Sequence, residues 1–237
     1  MFTLDGIEPW GRSFDEYRFM FALSDMDLGL RILGCADGPA SFNAVAARRG
    51  ANVVSCDPLY RFSAGEIENR IAATYDKIME QTRTNANQFV WNSISSVIEL
   101  GELRMAAMRD FLSDYVAGKA QGRYLEAQLP ELPFPESSFD LAICSHFLFL
   151  YSEQLGEKFH LAAVREMCRV ASECRIFPLL ALNGMRSELV EPVLNAVRDS
   201  GFEASLEEVP YEFQRGGNQM IRIRRPNVQV GWRDLVE

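Results

Sequence analysis

Hydrophobic and polar positions change period along the chain in a recognisable order. Residues 31–36 read Arg-Ile-Leu-Gly-Cys-Ala and then break at Asp37-Gly38-Pro39. A short apolar run closed by turn residues reads as a buried strand. Ala40 to Arg49 follows with helical spacing, and Gly50 stands just past its end, where helices commonly stop. Asn52 to Cys56 is a second apolar strand, ending at Asp57-Pro58. Ser63 and Glu66 form a capping box opening a helix that carries Ile67, Ile71, Tyr75, Ile78 and Met79 on one face. This strand–helix–strand–helix order predicts a parallel sheet covered on both faces.

Upstream, Ser13 and Glu16 make another capping box, so residues 1–30 read as an N-terminal cap of one or two short helices. Residues 82–120 interrupt the alternation. Ile94, Val97 and Ile98, then Met108, Phe111, Leu112 and Tyr115, predict an inserted helix pair, read as a lid over the carboxyl edge of the sheet. Its apolar positions suit plain packing or a dimer face as well as a substrate cover. Further strands are expected at 123–127, 141–145 and 175–182, and helices at 157–170 and 187–200, the latter with Pro192 inside. Segments 203–211 and 219–224 flank so short a connection that they must be antiparallel strands. With no internal repeat or linker, residues 1–237 are expected to form one α/β domain. Its doubly wound sheet is mostly parallel, with an antiparallel C-terminal strand.

Composition narrows the function. Of the 237 residues, 48% are hydrophobic and 24% charged, the balance of an ordinary globular chain. The net charge of −9 argues against a broad nucleic-acid surface, which needs cations to neutralise phosphate. The densest basic cluster, Arg222, Arg224 and Arg225, reads as a solvated strand end. Five cysteines with no CxxC pair outline neither a disulfide framework nor a zinc site, and no metal centre is expected. No apolar run approaches the ~18 residues of a membrane helix. The early acids Asp5, Glu8, Asp15 and Glu16 do not fit a signal peptide. These features lead to the expectation of a cytoplasmic protein without a membrane partner.

In an open parallel sheet, ligands bind beyond the carboxyl ends of the strands, where the strand order reverses. The first such turn, Ala36-Asp37-Gly38-Pro39-Ala40, has small residues that let a ligand lie against the backbone. Asp57 ends the second strand, where an acid can accept both hydroxyls of a ribose. Together they point to an adenosine-type ligand. The G-x-G-x-x-G spacing of dinucleotide sites is absent, which disfavours a nicotinamide-dependent oxidoreductase.

The later segment from Gln128 to Ile143, Gln-Leu-Pro-Glu-Leu-Pro-Phe-Pro-Glu-Ser-Ser-Phe-Asp-Leu-Ala-Ile, resembles the third and fourth motifs of class I S-adenosylmethionine-dependent methyltransferases. The resemblance extends over about residues 31–182 and implies a Rossmann-like fold. It also implies that Ala36, Asp37 and Gly38 hold the methionine part of the cofactor and that Asp57 binds the ribose. Pro58 and Leu59 would flank adenine, with Gln128 and Leu129 at its edge. Ser145 and His146 would face the methyl group and substrate. Trp10, Arg12 and Tyr17 would lie where the family often closes over the cofactor carboxylate. The family usually has an acid in strand 1 where this chain has Gly34, and glycines where it has Ala36 and Ala40. Asp37, three residues after Gly34, is the candidate replacement for that acid.

His146 suits a general base through its ordinary pKa near 6.5, a substrate-orienting contact, or a structural role. The apolar run Phe147–Tyr151 suits a pocket wall or core, and the Tyr151 phenol can donate to a substrate oxygen. His160, on a helix face beside Leu161 and Val164, reads as a packed residue. The function expected is methyl transfer from S-adenosylmethionine to a small-molecule acceptor by in-line displacement. The alternative is a non-catalytic module binding S-adenosylmethionine or S-adenosylhomocysteine.

Overall fold

Seven strands line up in one sheet in the computed structural model, which describes residues 9–226. They are β1 (Arg31–Cys35), β2 (Asn52–Cys56), β3 (Tyr124–Leu125), β4 (Phe139–Ser145), β5 (Ala171–Phe177), β6 (Glu203–Glu208) and β7 (Gln219–Arg224). Their order is β3-β2-β1-β4-β5-β7-β6. β3, β2, β1, β4 and β5 pair in parallel, whereas β7 runs antiparallel to both β5 and β6. This is the expected doubly wound, mostly parallel α/β sheet of Rossmann-like type. The strand order reverses at the β1–β4 junction, which opens a crevice beyond their carboxyl ends. Asp5 and Glu8 of the N-terminal argument lie outside the described residues.

Among the described residues, six α-helices pack around the sheet: α1 (Phe14–Met20), α2 (Phe42–Arg48), α3 (Ala64–Thr84), α4 (Val97–Ala120), α5 (Ser152–Val170) and α6 (Val190–Asp199). The two capping boxes form as expected, Ser13 with Glu16 at α1 and Ser63 with Glu66 at α3. Alternation along the strands sends side chains to opposite faces. Leu33, Cys35, Ala142 and Cys144 pack among Val164, Met167 and Leu194 of α5 and α6. Ile32, Leu141 and Ile143 pack among Phe14, Tyr17 and Phe42 of α1 and α2. A third cluster beyond β3 joins Ile67 and Ile71 of α3 to Met108, Phe111 and Tyr115 of α4, around Tyr60 and Tyr124.

Several boundaries differ from the expectation. Residues 82–120 do not form two helices: α3 runs on to Thr84, and one helix of 24 residues, α4, starts at its N-cap Ser96. Ile94 lies in the loop before it. β4 starts at Phe139. β5 starts at Ala171, because Glu173 inside it is held by Arg175, Arg222 and Arg224. β5 stops at Phe177, before Pro178, which has no N–H for the ladder. α5 begins at Ser152 and is interrupted by Gly156 (φ 70°, ψ 170°), so the unbroken helical pattern starts where the sequence shows it, at Glu157. Pro192 is the third residue of α6, within the first turn, where a missing N–H costs no helical bond. The Arg222–Arg225 cluster is ion-paired, Arg222 and Arg224 with Glu173 and Arg225 with Glu136. Among the described residues, no helix is long and apolar enough to cross a membrane.

The segment before α1 crosses closely over the turn after β1. The Ser41 amide donates to the Arg12 carbonyl at 3.0 Å. A Cβ on Gly11 would lie 2.1 Å from the Pro39 carbonyl oxygen and 2.8 Å from Met108 Cγ. Gly11→Ala is therefore expected to destabilise the fold by roughly 1–3 kcal/mol, the ordinary cost of overpacking. A urea midpoint equal to that of the parent would refute this close crossing.

Candidate functional site

The carboxyl ends of β1, β2 and β4 open into a cavity of about 550 Å³. That volume lies within the range of small-molecule sites. Its lining includes Tyr17 of α1; Ala36, Asp37 and Gly38 after β1; and Asp57, Pro58 and Leu59 after β2. It also includes Gln128 and Leu129 ahead of β4, Ser145 and His146 at the end of β4, and Tyr151 just beyond. Trp10, Arg12, Arg104, Phe89 and Phe213 complete much of the wall.

The first two turns are tied to each other. Asp57 caps the short 3-10 turn Pro58–Arg61 by accepting from the Leu59 amide at 2.7 Å. Its other carboxylate oxygen accepts from the Gly38 amide at 2.9 Å. Burial raises the Asp57 pKa, and these two N–H groups partly hold it down. Ala36 and Gly38 both have left-handed backbone, with φ 58° and 55°. For alanine this is a strained conformation of the kind that clusters at functional sites.

Asp37 folds back over β1. A Cβ built on Gly34 would lie 1.7 Å from Asp37 Oδ2, so the Asp37 carboxylate fills the space where any strand side chain would begin. Tyr17 donates to Asp37 Oδ1 at 3.0 Å, and Ser55 donates to Oδ2 at 2.6 Å. Burial pushes the Asp37 pKa up to about 6, with Asp57 adding to the rise and the two hydroxyl donors opposing it.

A second polar group stands nearby. Arg104 of α4, only 1% exposed, donates through Nη1 to Glu16 at 2.5 Å. Glu16 also accepts from the Tyr211 hydroxyl at 2.8 Å and from the Ser13 amide at 2.8 Å. Burial alone would raise the Glu16 pKa, but the charge and hydrogen bond of Arg104 hold it at about 2. Among the described residues, Arg12 donates to the Trp10 carbonyl at 3.2 Å. Burial and the repulsion of Arg104 lower the Arg12 pKa to about 10. Among the described residues, the Nε atoms of Arg12 and Arg104 are buried without a hydrogen-bond partner.

His146 also has left-handed backbone, φ 51°, and its amide is pinned to the Phe177 carbonyl at 2.7 Å. Its Nδ1 lies 2.9 Å from Ser145 Oγ. Burial first, then the charges of Arg12 and Arg104, push its pKa well below 6.5. This corrects the argument for His146 from an ordinary pKa: the imidazole is neutral at pH 7 and a weaker base than in water. The other histidine, His160, is fully buried, with its ring nitrogens on the Gly156 and Leu148 carbonyls at 2.7 and 2.8 Å.

No protein-family model matches the chain. An uncharacterised protein of Methanocaldococcus jannaschii, MJ0045, is 33% identical over 216 residues, covering 91% of this chain and 95% of that protein. The chain belongs to the MJ0045 family. Solved structures of similar shape include a TehB-like S-adenosylmethionine-dependent methyltransferase from Corynebacterium glutamicum. It has 15% identity and a TM-score of 0.47, covering 89% of this chain and 86% of that one. Another is the magnesium protoporphyrin IX methyltransferase of Synechocystis with bound S-adenosylhomocysteine, at 14% identity and a TM-score of 0.44. It covers 85% of this chain and 77% of that one.

In this member of the MJ0045 family, sequence reasoning missed Arg104, Phe89, Phe213 and the second role of Glu16. Arg104 carried a signal. It sits on the stripe Leu100, Ala107, Met108, Phe111 and Tyr115, where a charged residue on a buried helical face needs a reason. Phe89 and Phe213 gave none. They stack at 4.8 Å because the loop before α4 pairs with the β6–β7 connection, Phe89 bridging to Gln214.

The raised Asp37 pKa makes a stability prediction. An acid that is harder to ionise when folded contributes its stability below the unfolded value near 3.8, and that contribution is lost as pH rises to about 6. Asp37→Asn escapes this loss. At pH 7 it is expected to be more stable than the parent by roughly 1–3 kcal/mol, the gap closing below about pH 4. Denaturant melts from pH 4 to 8 test this. A variant less stable than the parent at pH 7 would show that Asp37 is held by net favourable contacts.

Proposed function

We propose that the chain binds S-adenosylmethionine in this cavity and transfers its methyl group to a small-molecule acceptor. The observation that carries the reading is the Asp37 carboxylate lying over Gly34, beside Asp57 at the end of β2. The residues fit such a cofactor. Asp37 presents a carboxylate, ionised above about pH 6, to the methionine ammonium. Asp57 accepts from the ribose hydroxyls while keeping the two turns joined. Pro58, Leu59, Gln128 and Leu129 flank the adenine, and Ala36, Gly38, Tyr17 and Ser145 border the methionine part.

When bound, S-adenosylmethionine supplies a methyl group already activated on a sulfonium. The protein's work is then orientation and exclusion of water, which can account for roughly 7–11 kcal/mol of barrier. Phe147, Leu150, Tyr151 and Phe159 give the acceptor an apolar wall. His146, neutral and fixed by Ser145 and Phe177, orients the acceptor or takes its proton transiently at a ring nitrogen. Tyr151 offers its phenol to an acceptor oxygen. A walled cavity, the acidic charge and an ion-paired basic cluster support a small molecule over nucleic acid. The five cysteines, all free and buried, suit a reducing cytoplasm.

Calorimetric titration with S-adenosylmethionine and S-adenosylhomocysteine tests the reading. Micromolar binding of both is expected, and binding of neither to folded protein refutes it. Asp57→Ala is expected to weaken both by about 1–3 kcal/mol through lost charge-assisted hydrogen bonds. Unchanged affinity would remove Asp57 from the ribose.

His146→Ala is expected to lower turnover by about 10²-fold or more while leaving cofactor affinity nearly unchanged. The His146 ring stays neutral well below pH 6.5, so an inflection of the parent's pH–rate profile near 6 is expected to belong to Asp37 and to persist in the residual activity of His146→Ala. Retained turnover in the variant would leave His146 a structural role only.

A further inference from the structure

Resting on the methyl-transfer reading, we propose that Asp37, Tyr17 and Ser145 form a hydrogen-bonded chain that holds His146 with its proton on Nδ1 and a bare Nε2 toward the cavity, so that the acceptor is a molecule offering an O–H or N–H at the atom methylated. Only one arrangement of protons satisfies these groups. The Asp37 carboxylate accepts at both oxygens, from the Tyr17 hydroxyl at 3.0 Å and from the Ser55 hydroxyl at 2.6 Å. A phenol has a single proton, and Tyr17 spends it on Asp37. Toward any other group the Tyr17 oxygen is an acceptor. Ser145 hydrogen-bonds to it and thereby opposes the rise of the phenol pKa, the effect of a donor. A serine hydroxyl also has a single proton. With that proton on Tyr17, Ser145 Oγ accepts from His146 Nδ1, 2.9 Å away, so Nδ1 carries the hydrogen.

The His146 ring is neutral, because burial and the charges of Arg12 and Arg104 disfavour the imidazolium. A neutral imidazole with hydrogen on Nδ1 has a lone pair on Nε2. Among the described residues, Nε2 has no hydrogen-bond partner, and His146 is part of the cavity wall. The ring is held there by its left-handed backbone (φ 51°), by the bond of its amide to the Phe177 carbonyl at 2.7 Å, and by the Phe177 ring, 5.5 Å away between centroids. A half-buried acceptor nitrogen pairs with a hydroxyl or an N–H and leaves a carboxylate, an ether or a tertiary amine without a hydrogen bond. During transfer, Nε2 takes the acceptor's proton as its oxygen or nitrogen bonds to the methyl carbon, and the sulfur keeps the electron pair of the broken C–S bond. Asp37, reached through Nδ1–H, Ser145 and Tyr17, then eases a positive ring that Arg12 and Arg104 oppose.

The test reads the tautomer of His146 in the full chain at neutral pH, from two-bond 1H–15N correlations of histidine-labelled protein. There an N–H and a bare ring nitrogen lie far apart in shift. The chain has 2 histidines, and His146→Ala assigns their signals. Hydrogen on Nδ1 and none on Nε2 is expected, and hydrogen on Nε2 overturns the proposal. Ser145→Ala and Tyr17→Phe each break the chain and are expected to move the ring toward the Nε2–H form. The parent's tautomer retained in whichever of these variants folds overturns the positioning role. Phenol and its methyl ether anisole are then titrated into the chain saturated with S-adenosylhomocysteine. Phenol is expected to bind at least about threefold more tightly and to shift the Nε2 resonance. Phenol binding no tighter than anisole, or leaving Nε2 unmoved, overturns the acceptor class. If the parent binds no S-adenosylhomocysteine, the methyl-transfer reading fails by itself. The tautomer is then read in the free chain, where hydrogen on Nδ1 still supports the acceptor nitrogen and hydrogen on Nε2 overturns it.

Discussion

The Glu16 carboxylate holds three walls of the cavity together. It receives the Ser13 amide at the start of α1, the Arg104 guanidinium from α4 and the Tyr211 hydroxyl after β6. α1, α4 and Tyr211 are far apart in sequence, and one buried anion satisfies a donor from each. Removing a single partner of a buried ion pair typically costs about 3–5 kcal/mol, since the other charge is left without compensation. The arrangement therefore fixes the relative position of α1 and α4, and with it the width of the cavity between them. Tyr17, one residue after Glu16, is thereby aimed at Asp37.

Around that anchor the molecule keeps features that a purely structural core would discard. Asp37 is a carboxylate buried to the point that its pKa rises to about 6. Ala36 and His146 hold left-handed backbone at the ends of β1 and β4. Arg12 is a cation whose charge is opposed by burial and by Arg104. Each is unfavourable alone, and all line one cavity. Strain and mismatched charge cluster at functional sites, and here they gather where the strand order of a parallel sheet reverses.

Much of the fold was legible because it is local. Apolar runs closed by Asp-Gly or Asp-Pro, two capping boxes and a helix-ending glycine are written in neighbouring residues, and β1, α2, β2 and α3 follow from them. The boundaries that moved depend on distant partners. Glu173 looks like a loop residue until Arg222 and Arg224 of β7 arrive beside it. The same division holds in the site. Spacing alone brings Asp57 to the end of β2, but not its bond to Gly38. That Asp37 lies over Gly34 was open, since three residues of separation do not reveal that the turn folds back. The depressed His146 pKa was illegible, because its causes, Arg12 and Arg104, are far away in sequence.

α4, the larger part of the segment read as a lid, is core. α4 buries Met108, Phe111 and Tyr115 against α3 and Tyr124, and presents Leu100 and Arg104 to the cavity from the same stripe. A loop lid can vary without disturbing the fold. A wall whose next turn is core cannot, so a change at Arg104 is coupled to stability. Variation that spares the fold would then fall more readily on the loop before α4 and on the β6–β7 connection. There Phe89, Phe213 and Gln214 meet outside the sheet and touch the cavity, with Phe213 packed at the edge of the core beside α1 and α2.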